Sequence, residues 1–202
     1  YFPLEDAKGN LMPYFITVRN GDGEHLDKVT YGNEHVILAR FSDADFFYRE
    51  DAKKSLEDYL PRLGTLTFHE KLGSMLEKNH RVAGLVSGLG DLFGTDSTDV
   101  AIAERAAQIA KADLATNMVV EMTSLQGAMG REYALKSGYP KEVANAIFEH
   151  WLPRSAGDIL PASDSGALLA LADRLDSLVG LFAAGLAPRS TADPYGLRRA
   201  AL

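Results

Sequence analysis

Residues 33–48, NEHVILARFSDADFFY, indicate the fold class of this chain. From Ile37 to Tyr48, apolar side chains recur at intervals of four, three and four residues. This spacing places them on one face of an α-helix. Asn33 precedes the periodic segment, and asparagine is among the residues that most often cap a helix N-terminus. We therefore predict a helix that begins at Asn33.

Helical patterns also fill the rest of the chain. Residues 102–113 repeat apolar side chains at helical spacing, and residues 128–137 form a further short pattern. The longest pattern covers residues 164–184 and is followed by Gly185, a typical residue after a helix C-terminus. The sequence thus predicts a mainly α protein, with a helical bundle over residues 33–202.

The first 20 residues have a different character. Residues 11–18 are rich in β-branched and aromatic side chains, with turn-forming residues at 8–10 and 20–23. We predict a short N-terminal β-hairpin over about residues 1–19, within an appendage formed by residues 1–32. A hairpin alone is marginally stable in water, so we expect it to extend a sheet or to pack on helices.

The composition excludes several classes of protein. The chain of 202 residues contains no cysteine, so it has no disulfide and no thiolate nucleophile. It has neither a signal-peptide pattern nor an apolar run long enough to cross a membrane, and we expect a cytoplasmic protein. The net charge of −7 disfavours a dedicated nucleic-acid binder, although one local basic face would still suffice for an RNA contact.

The side chains that could carry chemistry form few recognisable patterns. The five histidines show no metal-ligand spacing, and we predict no catalytic residue and no metal ligand. Asp173 and Asp176 are neighbours on the late helix. Such a pair could bind a cation or share acid–base work. We favour the alternative that one is solvated and the other pairs with an arginine such as Arg174 or Arg154.

Basic side chains supply the candidates for an RNA contact. Arg198 and Arg199 are adjacent in a basic C-terminal stretch that also contains Arg189, although a solvated helix end would look the same. Arg131 follows the glycine pair Gly127 and Gly130, which could hold an anion or could let two helices approach closely. The candidate RNA-binding residues are Lys111, Arg131, Arg154, Arg198 and Arg199.

Several segments together resemble the β subunit of bacterial glycyl-tRNA synthetase. Among them are KADLATNMV at 111–119, LQGAMG at 125–130, EHWLPR at 149–154, ALADRLD at 170–176 and DPYGLRRAA at 193–201. The matching segments are collinear and cover nearly the whole chain. In that family the β subunit is much longer, so the resemblance implies a middle piece of it: the end of an α/β region followed by a helical domain.

The resemblance carries expectations about function. It implies a tetramer of two α and two β subunits that ligates glycine to tRNA(Gly). The α subunit would use ATP and Mg²⁺ to activate glycine, and the β subunit would recognise and position the tRNA. This piece would need no cofactor, would catalyse nothing by itself, and would contribute scaffold and tRNA contacts. A third hypothesis is that this piece is a structural spacer, which holds the α-subunit and anticodon-binding regions apart and makes no RNA contact.

The helical domain further resembles a degenerate HD-type domain. Active HD phosphohydrolases bind metal through histidines and aspartates, including an adjacent His-Asp pair. The matching positions here are Ala112, Asp113, Asp173 and Asp176, and the missing imidazole at Ala112 leaves too few donors for a tight site. The alternative hypothesis is an active metal-dependent phosphohydrolase that uses Asp113, Asp173 and His150.

Overall fold

The computed structural model describes residues 1–188 and 193–201 and consists mainly of α-helices. It divides into two compact units, Tyr1–Asp43 and Ala44–Leu202. The predicted mainly α fold with a short N-terminal hairpin is confirmed. Along the described part of the chain, no helix has both the length and the apolar character needed to span a membrane.

The first unit begins with the predicted hairpin. Strands β1 (Phe2–Glu5) and β2 (Leu11–Ile16) pair in antiparallel fashion. Gly9 adopts a φ of 80° in the connecting turn, a conformation that glycine tolerates best. The Asp6 carboxylate accepts hydrogen bonds from two backbone N–H groups of this turn. The turn residues identified in the sequence therefore do form the hairpin.

Helix α1 (Leu26–Asp51) starts earlier than predicted. Asn33 lies inside the helix, and its side-chain oxygen accepts a hydrogen bond of 2.9 Å from the Tyr1 hydroxyl. The prediction that Asn33 caps the helix is therefore wrong. Gly32 did not stop the helix, because a single interior glycine costs only about 1 kcal/mol. The predicted boundary between residues 32 and 33 thus falls within α1.

The remaining elements lie in the second unit. They are the 3₁₀ segments Leu56–Thr65, Ala112–Ala115 and Thr123–Leu125, the short strands β3 (Thr67–His69) and β4 (Gly73–Ser74), and the helices α2 (Met75–Phe93), α3 (Ser97–Ala107), α4 (Asn117–Glu121), α5 (Ala128–Lys136), α6 (Lys141–Glu149), α7 (Asp164–Ala183) and α8 (Leu197–Ala201).

One predicted helix is interrupted. Helical spacing from Ile102 to Asp113 predicted a continuous helix, but α3 ends at Ala107. The chain then turns, and Asp113 lies in a 3₁₀ segment. Such tight turns commonly follow helix ends. The prediction failed because apolar spacing continues across the turn, where Ile109 is also buried.

The core of the second unit forms where α2, α3, α6 and α7 meet. Small side chains dominate this junction: Ala103, Ala106, Ala144 and Ala172 are fully buried. Their size allows the helix backbones to approach closely, and larger side chains such as Ile147 fill the space beside them.

A buried carboxylate joins α1 to this core. Asp51 is 1% exposed and accepts hydrogen bonds from the backbone N–H groups of Asn117 and Met118, both at 2.9 Å. The Tyr133 hydroxyl donates to it at 3.0 Å, and the Tyr59 hydroxyl donates to the Asp51 backbone carbonyl at 3.1 Å. The carboxylate thus caps α4 and links it to α1 and α5.

Asp51→Asn should lower the free energy of unfolding by about 2–4 kcal/mol, because hydrogen bonds to a buried charged group are worth about 1.5–3 kcal/mol each. Chemical denaturation monitored by circular dichroism measures the change. Asp45→Asn removes an exposed carboxylate of the same helix that pairs with Arg49, and should cost less than about 1 kcal/mol. Equal effects of the two substitutions would contradict the role assigned to Asp51.

Candidate functional site

Four charged side chains meet inside the second unit. Lys78 comes from α2, Asp173 and Asp176 come from α7, and Lys111 precedes the 3₁₀ segment after α3. Lys78 and Lys111 are only 3% and 1% exposed. The Nζ atoms of Lys78 and Lys111 lie 3.1 and 3.0 Å from Asp173 Oδ1. Each buried charge therefore has an opposite charge in contact, as burial requires.

Asp176 completes this buried cluster. Its carboxylate lies 2.9 Å from Lys78 Nζ and 2.6 Å from Arg81 Nε. Both neighbouring aspartates of α7 are thus ion-paired, but with partners from other elements. The prediction that one of them is solvated is wrong; Asp176 does pair with an arginine, as predicted, but the arginine is Arg81 and neither Arg174 nor Arg154. Arg174 instead donates to the backbone carbonyls of Leu152 and Ala170.

The electrostatics of Asp173 follow from these contacts. Burial by itself would raise the pKa of its carboxyl group. The charges of Lys111 and Lys78 outweigh burial and hold that pKa below its ordinary value. Burial also lowers the pKa of Lys111, and the Asp173 charge opposes this shift. The pair is an ammonium–carboxylate contact in the core.

His150 lies on the other side of Lys111. Its Nδ1 atom is 2.5 Å from the Ile147 carbonyl, so Nδ1 carries the proton and donates. Its Nε2 atom lies 3.4 Å from Lys111 Nζ and accepts. Burial, followed by the Lys111 charge, lowers the pKa of His150 to about 3. The Trp151 ring also contacts Lys111, whose Nζ is 4.4 Å from the ring centroid.

Asp113 has a separate set of partners. Its Oδ2 atom accepts a hydrogen bond of 2.6 Å from the backbone N–H of Gly127. Burial raises the pKa of Asp113 to about 6, and the Gly127 hydrogen bond partly opposes this shift. Its neighbour Ala112 is fully buried in the core. Asp113 therefore fixes the start of α5, while Asp173 contacts the lysines.

The glycine pair before α5 serves close packing. A Cβ atom on Gly130 would lie 2.9 Å from Ile147 Cγ2 and 3.1 Å from Asp113 Oδ2. A Cβ atom on Gly127 would overlap the Trp151 ring, and Gly127 also has a φ of 78°. Of the two interpretations offered by the sequence, the structure thus favours close approach of the chain over anion binding.

The arrangement bears on the metal-hydrolase hypothesis. In the described part of the chain, no three His, Asp or Glu side chains are placed to hold one metal ion. The Lys111 ammonium contacts both His150 and Asp173. A fixed cation therefore lies between two of the three residues that this hypothesis requires, and Asp113 points to the α5 backbone.

A cavity of about 230 Å³ opens next to the buried cluster. Arg154, Arg174 and Arg199 contribute to its wall, as do the aromatic side chains of Trp151 and Tyr195. His150 and Asp173 also line it, so the cavity reaches the buried charges. These residues come from α7, α8 and the segments around them, and the sequence alone did not bring them together.

The predicted RNA-binding residues occupy different environments. Arg131 and Arg154 both pack on the Phe148 ring, with guanidinium carbons 5.0 and 5.8 Å from its centroid. Arg198 is exposed, and its backbone N–H donates to Asp193. Arg199 lines the cavity, and Arg189 falls outside the described residues. Lys111 is buried against Asp173, and this position does not support a direct RNA contact.

Sequence reasoning overlooked Lys78 and the two aromatic residues. A signal for Lys78 was present, because it lies four residues before Val82 and eight before Val86, on the apolar face of α2. A lysine on such a face needs a buried acidic partner. Trp151 and Tyr195 carry no comparable local signal, since only the fold places them at one cavity.

The comparisons with known proteins agree with the segments noted above. Residues 1–202 match the sequence profile of the family described as glycyl-tRNA synthetase beta subunit. The chain belongs to the glycyl-tRNA synthetase β-subunit family. Three similar proteins, each described as a glycine–tRNA ligase beta subunit, come from Desulforudis audaxviator, Trichodesmium erythraeum and Listeria monocytogenes, with identities of 50%, 52% and 47%.

The match covers all of this chain and a smaller part of its relatives. Each of these three alignments includes 100% of the chain and 29% of the relative. The chain therefore spans under a third of the length of these family members. These matches do not test the resemblance of the helical domain to HD-type domains, which stays a prediction.

Lys111→Met should lower the free energy of unfolding by about 3–5 kcal/mol, because it removes one partner of a buried ion pair. The double variant Lys111→Met/Asp173→Leu should recover part of this loss, since it removes the uncompensated charge. Denaturant titration of both variants measures the coupling. The exposed Lys141→Met serves as the control, and simple additivity of the two buried changes would contradict the pairing.

The stability contribution of neutral His150 should be lost on acidification. Below its ordinary pKa of 6.5 the unfolded chain takes up a proton that the folded chain does not bind until about pH 3. The contribution is therefore present above pH 6.5 and falls as the pH decreases towards 3. Denaturant titrations between these limits should show a smaller pH dependence for His150→Gln than for the parent. His80→Gln, at an exposed position, should leave the dependence unchanged; parallel curves for all three proteins would refute the assignment.

Proposed function

We propose that this chain forms part of the β subunit of a glycine–tRNA ligase, where it positions tRNA(Gly) without taking part in the chemical step. Its similarity to proteins described as glycine–tRNA ligase beta subunits supports the ligase assignment. The proposed partners are the α subunit, in an α2β2 assembly, and the tRNA. ATP and Mg²⁺ would act at the α subunit, and the proposed compartment is the cytoplasm.

The clustering of arginines carries the proposal of an RNA contact. Arg131 and Arg154 lie 23 positions apart in the sequence, yet both pack on Phe148. Arg154 also lines the cavity that contains Arg174 and Arg199. A net charge of −7 is no obstacle, because RNA phosphates respond to the local density of cations.

Carboxylate partners hold two of these arginines in place without saturating them. Arg131 contacts Glu132 at 3.1 Å, and Arg154 contacts Asp158 at 2.9 Å. A guanidinium group has five N–H donors, so each retains donors for a phosphate. The aromatic contact with Phe148 further limits the side-chain freedom that binding would otherwise remove.

The contacts of the buried charges support a non-catalytic role. Lys78, Lys111, Asp173 and Asp176 are engaged with one another. His150 directs its only acceptor nitrogen at Lys111, and its pKa of about 3 makes it a poor base at neutral pH. These side chains stabilise the fold and support the cavity wall.

Arg131→Ala in the complete two-subunit ligase should raise the KM for tRNA about three- to tenfold. The slope of the logarithm of the tRNA binding constant against the logarithm of the salt concentration should become shallower by about one. Glycine activation, measured by ATP–pyrophosphate exchange, should stay unchanged because it would occur on the α subunit. Aminoacylation assays over a range of salt concentrations measure the first effect.

Arg105→Ala is a matched control for this experiment. Arg105 also has a carboxylate partner, Glu57, and its guanidinium carbon lies 5.0 Å from the centroid of an aromatic ring, that of Tyr139. It lies on α3 and is not among the arginines that pack on Phe148 or line the cavity, so its loss should leave the KM for tRNA unaltered. If both substitutions change the KM for tRNA equally, or if Arg131→Ala leaves it unchanged, the result would favour the structural-spacer hypothesis over tRNA positioning.

A further inference from the structure

The cavity beside α7 and α8 combines cationic and aromatic groups. Arg174 is partly buried, and its guanidinium is held by backbone carbonyls. Arg199 lines the same cavity. Over residues 1–188 and 193–201, neither arginine forms an ion pair with a carboxylate. Asp173 is close enough to act on Arg174, and Asp193 on Arg199, but neither carboxylate is in ion-pair contact with these guanidinium groups. Two positive charges therefore face one cavity with only partial compensation.

The acidic residue at this cavity supplies only part of a counter-charge. Asp173 has Lys78 at 3.1 Å and Lys111 at 3.0 Å, so two ammonium groups already surround its carboxylate. Burial lowers the pKa of Arg174, Asp173 opposes this shift, and the neighbouring Arg199 charge adds to it. An anion between Arg174 and Arg199 would relieve their mutual repulsion.

The aromatic groups add a second requirement to the ligand. Tyr195 is 42% exposed at the cavity, so its ring is accessible. Trp151 also lines the cavity, and its buried Nε1–H has no hydrogen-bond acceptor among the described residues. A buried indole N–H ordinarily has a partner. Because the Trp151 Nε1 atom is buried against Gly127, the accessible contact at the cavity is the Tyr195 ring beside Trp151, and this pair suits a planar ligand.

We propose that this cavity binds a single unpaired nucleotide of an RNA chain, with its phosphate between Arg174 and Arg199 and its base or sugar against Tyr195 and Trp151. The proposal rests on the proposed function and identifies the part of the RNA that would be held. A volume of about 230 Å³ lies below the ~300–1,000 Å³ of typical ligand pockets. It therefore has room for the phosphate and part of the base or sugar of one nucleotide, and it is too small to enclose a base pair.

A free nucleotide has the same phosphate, sugar and base as a nucleotide within RNA, so the test must distinguish these two ligands. In RNA the neighbouring phosphates would also reach Arg154 at the cavity wall, and Arg131 beyond Phe148. A free nucleotide would lack these additional contacts. The continuity of the arginines from the cavity to Phe148 favours the RNA chain.

The test uses the complete two-subunit ligase with labelled tRNA(Gly). Tyr195→Ala and Arg199→Gln should each weaken tRNA binding by about 5- to 50-fold, the range expected for loss of one stacked base or one phosphate contact. Arg199→Gln should also make the slope of log binding constant against log salt concentration shallower by about one, because a phosphate contact is lost. Tyr195→Ala should leave this slope unchanged. Tyr195→Phe keeps the ring and should bind like the parent.

A crosslink identifies the nucleotide. Replacement of Tyr195 by a photoreactive benzoyl-phenylalanine should give crosslinks to one unpaired position of the tRNA, mapped by primer extension. Crosslinks confined to base-paired positions, or tRNA binding that neither substitution alters, would overturn the proposal. If Arg131→Ala alone weakens tRNA binding, the cavity proposal fails while the proposed function stands. If no variant has an effect, both fail.

Calorimetric titration with AMP and with inorganic phosphate tests whether the cavity binds a free nucleotide instead. We expect binding of AMP no tighter than millimolar, because the flanking phosphate contacts are missing. Tight AMP binding that Arg199→Gln abolishes, together with unaltered tRNA binding, would overturn the proposal in favour of a free-nucleotide site.

Discussion

The ion pair between Lys111 and Asp173 is the contact on which the second unit depends. A lysine that is 1% exposed cannot remain charged without a compensating partner, and Asp173 supplies it at 3.0 Å. The pair connects α7 to the turn after α3, and Lys78 extends the connection to α2. His150 and Trp151 close the other side of the ammonium. Two helices, α2 and α7, thus converge on this pair together with the turn after α3 and the end of α6.

This compensation determines the electrostatics of the neighbouring cavity. Because Lys78 and Lys111 pair with Asp173, its carboxylate offsets the arginines of the wall only in part. The surface there is cationic although the chain as a whole carries −7. Asp173 and Asp176, two of the positions that resemble an HD-type metal site, are held in ion pairs with Lys78, Lys111 and Arg81.

Local signals predicted several elements well. The hairpin and α7 follow directly from turn residues and helical spacing, since neighbouring residues decide both. The same reasoning failed for the start of α1 and for the end of α3. Asparagine often caps helices, but the helix already begins at Leu26. The side chain of Asn33 instead accepts a hydrogen bond from the Tyr1 hydroxyl. Local propensity did not determine these two boundaries.

The sequence by itself determined the fold class, the family and the identity of most arginines around the candidate site, because composition, spacing and collinear segments are properties of the chain. Only the tertiary structure decided which charges are accessible. Lys111 is as basic as Arg131 in the sequence, yet one is buried against Asp173 and the other packs on Phe148 at the surface. Burial and pairing arise from contacts between residues distant in sequence, and no local pattern records them.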